Sequence, residues 1–384
     1  MVSRTDRSQF AEWWWTVDRF LLFGILALMV GGVVLSFAAS PPVAERLHLD
    51  TYHFVKRQAL FLVPAVAILF GVSLLSPRQI RRVALVVLIG AVLMMLLTLF
   101  AGFEVKGARR WLSLFGMSIQ PSEFVKPAFV VISAFLFAEN SRRPEVPGNA
   151  LAVLLLSIVL ALLVAQPDFG QAVLLSLVWC ALFFMAGLPW LWIALLSVAG
   201  VFGALAAYSL LPHVALRIDR FLDPSSGDTF QVDTAIESFI RGGWLGRGPG
   251  EGTVKRILPD SHTDFTFAVA AEEFGIVLCM LLVLIFAFVV LRGFSHAMRK
   301  EDGFERLAAA GLVVLFGLQS IINMAVNVQL MPAKGMTLPF ISYGGSSLLA
   351  LALAMGFLLA LTRRRPETMT RRPPVVFEPL ARNG

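Results

Sequence analysis

Charge is scarce in this sequence. Of 384 residues, Asp, Glu, Lys and Arg together make up only 15%, whereas 58% are hydrophobic and 32 are phenylalanine. A soluble domain is about 45–50% apolar, and a soluble fold with so little charge could not cover the excess. An ordinary soluble protein is therefore excluded, and the mean hydropathy of +0.79 agrees. A bilayer removes the difficulty, because lipid covers the outside of the helices. Cysteine is nearly absent too. Cys180 and Cys279 both lie inside apolar runs, so they are not placed to staple loops and say nothing about redox compartment. There is no cleavable-looking signal peptide and no fixed-period repeat. The glycine-rich run from Gly242 to Gly252 lacks the Gly-Lys-Ser/Thr that a Walker loop needs.

What the sequence has is apolar runs of spanning length. They lie near 20–39, 58–75, 83–102, 121–138, 149–166, 170–187, 190–211, 265–291, 307–331 and 344–362. Each is roughly 17–27 residues, the length a tilted helix needs to cross. The expected fold is an all-α integral membrane bundle of about ten transmembrane helices. Basic residues set its orientation. Arg78, Arg81 and Arg82 share one short loop, Arg142 and Arg143 another, and Arg292, Arg299, Lys300 and Arg306 a third; Arg363-Arg364-Arg365 opens the tail. Ten spans put all of these and the N-terminus on one side, which the positive-inside rule makes cytoplasmic. Clustering beside apolar runs also accounts for much of the net charge of +7, so no nucleic-acid partner is expected. The domains read as a cytoplasmic N-terminus (1–19), a transmembrane domain (20–362) with a large outward loop (212–264), and a disordered cytoplasmic tail (363–384). Trp13-Trp14-Trp15 fits a headgroup belt.

The outward segments carry basic residues that topology does not ask for: Lys106, Arg109, Arg110, Arg217, Arg220, Arg241, Arg247, Lys255 and Arg256. They read either as a solvated surface paired with Asp219, Asp223, Asp228 and Asp233, or as a cationic groove for a phosphorylated ligand. A loop of about fifty residues is uncommon unless functional. It ends in Leu258-Pro259-Asp260-Ser261-His262-Thr263-Asp264-Phe265. Asp260 or Ser261 is expected as a helix cap. Asp264 is expected just inside the next helix, facing Glu272 about 12 Å deeper, with Glu273 beside it. Carboxylates at that depth are functional candidates by default, or partners of a buried Lys or Arg. Glu123 and Lys126, three apart, read best as an ion pair. The stripe Gln319, Asn323, Asn327 reads as interhelical hydrogen-bond glue or as the wall of a wet cavity. The Gly/Pro-rich run from Pro332 to Ser347 must be buried in protein or line a cavity. Ser342, Tyr343, Gly344, Gly345, Ser346 and Ser347 in this run become candidate substrate-binding residues through the family resemblance given next.

Together these motifs resemble the SEDS family (shape, elongation, division and sporulation). The resemblance rests on Pro332 to Ser347, on Gln120-Pro121-Ser122-Glu123 with Lys126 and the preceding Arg110-Trp111, on Gln166-Pro167-Asp168, and on 258–265 followed by Glu272-Glu273-Phe274-Gly275. It covers essentially the whole chain, and is nearer the cell-division than the elongation branch. Asp260, Gln171 and Gln329 stand where Glu, Thr and Gly are commoner. The resemblance implies a peptidoglycan glycosyltransferase that polymerises lipid II and releases undecaprenyl pyrophosphate, with Asp264 in the position of an essential Asp. It implies a class B penicillin-binding protein transpeptidase (FtsI-type) and other division proteins as partners. Arg110, Glu123, Lys126, His262 and Thr263 are then candidate substrate-binding residues. Arg110, Lys126, Arg217, Arg220 and Lys255 form a candidate pyrophosphate clamp. No cofactor is certain; a divalent cation (Mg or Mn) near Asp264 stays open, with no ligand pattern to fix it. A lipid II flippase and a non-catalytic division scaffold are the competing readings.

Overall fold

The computed structural model describes residues 9–105, 108–114, 117–187, 190–223, 229–332 and 335–364. In chain order the helices are α1 (Gln9–Thr16), α2 (Arg19–Ala39), α3 (Pro41–Arg46), α4 (His53–Ser73) and α5 (Pro77–Ala101), then α6 (Pro121–Arg142), α7 (Gly148–Ala165), α8 (Phe169–Met185), α9 (Trp190–Leu210), α10 (Pro212–Leu222), α11 (Phe230–Gly242), α12 (Thr266–Met298), α13 (Gly303–Asn327) and α14 (Gly345–Thr362). Nine of these are long and apolar enough to cross a membrane, and the 17-residue α8 is a tenth apolar helix. Local sequence sets the starts. Asp18 accepts the Leu21 N–H at the head of α2, Ser76 and Gln79 form a reciprocal capping box on α5, and Asp302 accepts the Glu305 N–H on α13. Proline opens α5, α6 and α10, where its missing N–H costs nothing.

α6, α13 and α14 are buried along most of their length and form the centre of the bundle. α14 packs most extensively on α4, and α13 on α12 and α6. α9 is largely exposed among its described side chains and touches chiefly α10.

The ten apolar helices match the ten expected runs, and side-chain contacts define the two ends of the bundle. At one end the Arg364 N–H donates to the Thr16 carbonyl at 3.0 Å. Arg363 Nε donates to Thr16 Oγ1 at 2.9 Å, and Arg292 pairs with Asp18. Both described chain ends therefore lie together, as an even number of crossings requires. Arg363 is buried, so the folded body runs one residue further than the 363–384 tail boundary. Trp13 is also buried, and its Nε1 donates to Ser73 Oγ at 2.8 Å. Three consecutive tryptophans cannot all face headgroups, because successive helical side chains point about 100° apart; of the three, Trp15 is the exposed one.

The opposite end holds three departures from an all-helical reading with open loops. Within 103–120, β1 (Phe103–Val105), β2 (Ala108–Leu114) and β3 (Met117–Ile119) pair as a three-stranded antiparallel sheet, with Phe103 opposite Trp111 and Leu112 opposite Ile119. The long loop 212–264 contains α10, α11 and a 3-10 turn at Val254–Arg256. Its glycine-rich run is no anion cradle. α12 breaks at Gly275 (φ 78, ψ 179), and the run plugs the break. Ile276 and Val277 N–H donate to the Gly243 and Trp244 carbonyls, while Arg247 and Gly248 N–H donate to the Glu272 and Glu273 carbonyls, all between 2.9 and 3.2 Å. A broken spanning helix must have its freed backbone groups paired in this way.

Candidate active site

The site is built from two non-helical segments held by one helix face. α12 starts at Thr266, so Asp264 lies in the turn before the helix rather than inside it. The turn is closed by the Asp260 carbonyl, which accepts from Thr263 and Asp264 N–H at 3.1 and 3.0 Å. Asp260 adopts φ 50, a left-handed conformation that a short polar side chain tolerates. Neither Asp260 nor Ser261 caps α12; instead Asn327 Oδ1 on α13 accepts the Ala268 N–H at 3.1 Å. Asn323 and Asn327 each donate Nδ2 to the Asp264 carbonyl at 3.0 Å. Asn323 also donates to the Met336 carbonyl, and Gln319 Nε2 to the Thr337 carbonyl at 3.2 Å. The polar stripe of α13 is therefore glue: it staples the His-Thr-Asp turn and the 335–343 segment to the same helix. The Asp264 side chain is left half-buried beside Gly335.

The other candidate residues fall into place around this turn. Tyr343 N–H donates to the His262 carbonyl at 2.9 Å. The His262, Tyr343 and Phe54 rings pack together, with centroids 4.7–5.5 Å apart. Thr263 Oγ1 donates back to the Asp260 carbonyl. Ser342 Oγ accepts the Leu338 N–H, and Ser347 Oγ and Thr337 Oγ1 lie 2.8 Å apart. Ser346 Oγ accepts the Gln120 N–H and donates to the Ser118 carbonyl, tying β3 to the head of α14. Gly345 lets the chain pass close to the Phe61 ring, while Gly344 lies beside Thr337 and Ser347 at ordinary contact distance. These groups shape and hold the walls.

Several of the candidate substrate-binding residues make contacts within the protein. Lys126 Nζ is buried and lies 2.9 Å from Glu123, which is the expected ion pair. Gln319 Oε1 accepts a further Lys126 proton, and Gln171 Nε2 donates to Glu123, so both charges are partnered within the bundle. Lys255 is buried against Glu273 and the Ala38 carbonyl. Glu272 does not face Asp264: its carboxylate accepts the Thr253, Val254 and Lys255 N–H groups. Arg110 Nε donates to the Gln166 carbonyl at 3.0 Å and Nη2 to the Pro167 carbonyl, and Nη1 lies 3.7 Å from Asp168. Its fork is committed to the Gln-Pro-Asp turn. Arg217 is exposed on α10. The Arg220 side chain, Lys106, Asp228, Lys334 and the tail from Arg365 lie outside the described residues. Among the described residues no three His, Cys, Asp or Glu side chains cluster as metal ligands.

One cation was missed by sequence reasoning. Arg57, on the first turns of α4, is half-buried and makes no ion pair among the described residues. Burial pushes the Tyr343 hydroxyl pKa up, and the nearby Arg57 charge pulls it the other way. Arg57 thus stands by the aromatic cluster that carries His262. Its position at the mouth of an apolar run looked like an ordinary helix end; only the approach of α14 to α4 reveals it.

A bundle of apolar helices with a carboxylate stapled at its mouth, and its buried ions already paired, defines a membrane-embedded enzyme. Residues 19–367 match the cell cycle protein family of FtsW, RodA and SpoVE, and the chain belongs to that family. It is 48% identical over 365 residues to a protein of Caulobacter vibrioides named "Probable peptidoglycan glycosyltransferase FtsW", covering 95% of this chain and 94% of the relative. A Geobacter metallireducens protein of the same name is 33% identical, covering 91% and 96%. Among solved structures, the chain resembles one described as "Structural coordination of polymerization and crosslinking by a peptidoglycan synthase complex" (TM-score 0.74, 30% identity, covering 90% and 97%). It also resembles the rod shape determining protein RodA of Thermus thermophilus (TM-score 0.68, 27% identity, 92% and 99%).

Proposed function

We propose that this chain, a peptidoglycan glycosyltransferase of the FtsW type, polymerises lipid II at the outer face of the cytoplasmic membrane during septal wall synthesis, with Asp264 as general base. The observation that carries the assignment is the double staple from Asn323 and Asn327 onto the Asp264 carbonyl. A base needs a fixed position more than it needs a strong partner, and these two bonds fix the backbone while the carboxylate stays half-buried. In the reaction a sugar hydroxyl attacks an anomeric carbon and a lipid pyrophosphate leaves. Pyrophosphate leaves readily, so the site needs a base for the hydroxyl and positive charge for the leaving oxygens. One carboxylate on the attacking side suffices for an inverting displacement, by analogy with inverting glycosidases. With Lys126, Lys255 and Arg110 committed elsewhere, Arg57 is the cation we assign to the leaving group. A divalent cation beside Asp264 would supply the same charge.

The end at which both described chain ends meet faces the cytoplasm, since the basic loops lie there. The partner is a class B penicillin-binding protein of the FtsI type, with other division proteins. The similarity to a synthase complex that couples polymerisation to crosslinking supports this. The test is Asp264→Asn, assayed with its transpeptidase on labelled lipid II with a gel for glycan strands. The variant should fold and bind its partner while polymerisation falls by about 10²–10⁴-fold, the usual worth of a general base. Full polymerisation would remove Asp264 from that role.

A further inference from the structure

At the end opposite Asp264 lies a cavity of about 410 Å³ that the reaction does not use. It opens between the α1–α2 junction, the last turns of α12 and the exit of α14. Three arginines line it, Arg19, Arg292 and Arg364, against one carboxylate, Asp18. Arg292 is neutralised there, donating Nε and Nη2 to Asp18 at 2.8 and 2.7 Å. His296 Nε2 lies 2.6 Å from the same carboxylate. Arg19 and Arg364 are the surplus. Arg19 stacks over the Trp14 and Trp15 rings at 5.4 and 5.0 Å and makes no ion pair among the described residues. Arg364 is bound through its backbone N–H to Thr16, and its side chain is exposed. The head of α2 adds its positive dipole end to the same space.

The wall beneath these cations is apolar. Phe20 and Phe23 are 65% and 56% exposed on α2, and both line the cavity. On a spanning helix that face meets acyl chains. Cationic groups above exposed aromatic rings at a helix end match a phospholipid: phosphate to the arginines, glycerol at Trp15, and chains along Phe20 and Phe23. Basic pockets between spanning helices on the cytoplasmic side are where anionic headgroups bind.

We propose that this cavity binds the phosphate of an anionic phospholipid from the leaflet on the side of the chain ends, clamped between Arg19 and Arg364. Given the orientation above, that leaflet is the cytoplasmic one. Bound lipid would brace the junction at which α1, α2, α12 and the exit of α14 meet.

The test uses the full chain in nanodiscs of phosphatidylcholine with graded phosphatidylglycerol, and reads retained lipid by native mass spectrometry. Wild type should retain phosphatidylglycerol in preference to phosphatidylcholine. Arg19→Gln/Arg364→Gln should lose that preference by about tenfold or more, since two charge-assisted contacts are removed. Arg78→Gln/Arg82→Gln, an equal charge change on two exposed residues in the first turns of α5 at the same end, should keep it. Arg364→Gln alone, at an exposed side chain, serves if the double variant fails to fold. Equal retention by wild type and variant would overturn the proposal. So would displacement of the lipid by soluble glycerol 3-phosphate at matching concentration, which would make the site one for a free anion.

Discussion

Arg57 and Asp18 show how a single charge takes its meaning from where the fold puts it. Arg57 sits beside Tyr343 and makes no ion pair among the described residues, so its removal leaves no buried partner stranded. Arg57→Gln should therefore melt close to wild type yet polymerise about a hundredfold more slowly, the usual effect of losing one donor to developing charge. Thermal melting beside a lipid II assay checks both halves; an unchanged rate would return Arg57 to the solvated surface. Asp18 is the opposite case. Burial alone would raise its carboxyl, but bonds from Arg292 and the Leu21 N–H, with the neighbouring charges, outweigh burial and hold it below the ordinary carboxylate range. A depressed pKa means that Asp18 contributes stability above its unfolded pKa, and that this is lost as pH falls through the folded one. A stability profile from pH 7 into the acid range should fall less steeply for Asp18→Asn than for wild type. Parallel curves would mean that the bridge to Arg292 contributes nothing.

At the scale of elements, much was legible because spanning helices announce themselves by length and hydropathy, and all ten expected runs became helices. The Glu123–Lys126 pair was equally legible, since i,i+3 spacing fixes it within one helix. What sequence could not give was partners distant along the chain. Nothing near Lys255 in sequence points to Glu273, and nothing near Arg110 points to the Gln166 carbonyl. The α12 break was hidden as well, because a lone glycine in an apolar run looks tolerable. Gln329, just past the end of α13, adopts φ 59, a conformation that glycine favours. The break makes a firm prediction. A Cβ at Gly275 would overlap the Trp244 carbonyl oxygen, and one at Gly246 the Glu273 backbone, with both residues at positive φ. Gly275→Ala or Gly246→Ala should cost about 3 kcal/mol or more, since neither backbone can yield without unplugging the helix. Melting of the two variants against Gly250→Ala, where a Cβ meets open space at a similar φ, separates the clash from the dihedral strain. Equal losses at all three positions would show that the plug carries no weight.

Across the whole molecule, the distribution of charge decides between polymerase and flippase. The Asp, Glu, Lys, Arg and His side chains of the spanning helices crowd toward helix ends. Glu123 and Lys126 lie in the first two turns of α6, Glu272 and Glu273 before the α12 break, and Arg292 in the last turns of α12; α7, α8, α9 and α14 carry no Asp, Glu, Lys, Arg or His. The four inner groups near Asp264 are already paired with each other, with Lys255 or with backbone N–H groups. A pyrophosphate carried through the bilayer needs compensating charge along its route, because unpaired charge at mid-depth is costly. Here the stretch between the two charged ends is lined by apolar helix, and the packed centre of α6, α13 and α14 closes it. Proteoliposomes containing this chain should thus translocate labelled lipid II no faster than protein-free vesicles. The same preparation, joined to its transpeptidase, should polymerise lipid II presented on the side of Asp264. Protein-dependent flipping that survives Asp264→Asn would overturn this reading, because it would require a path through the bundle that owes nothing to the stapled turn.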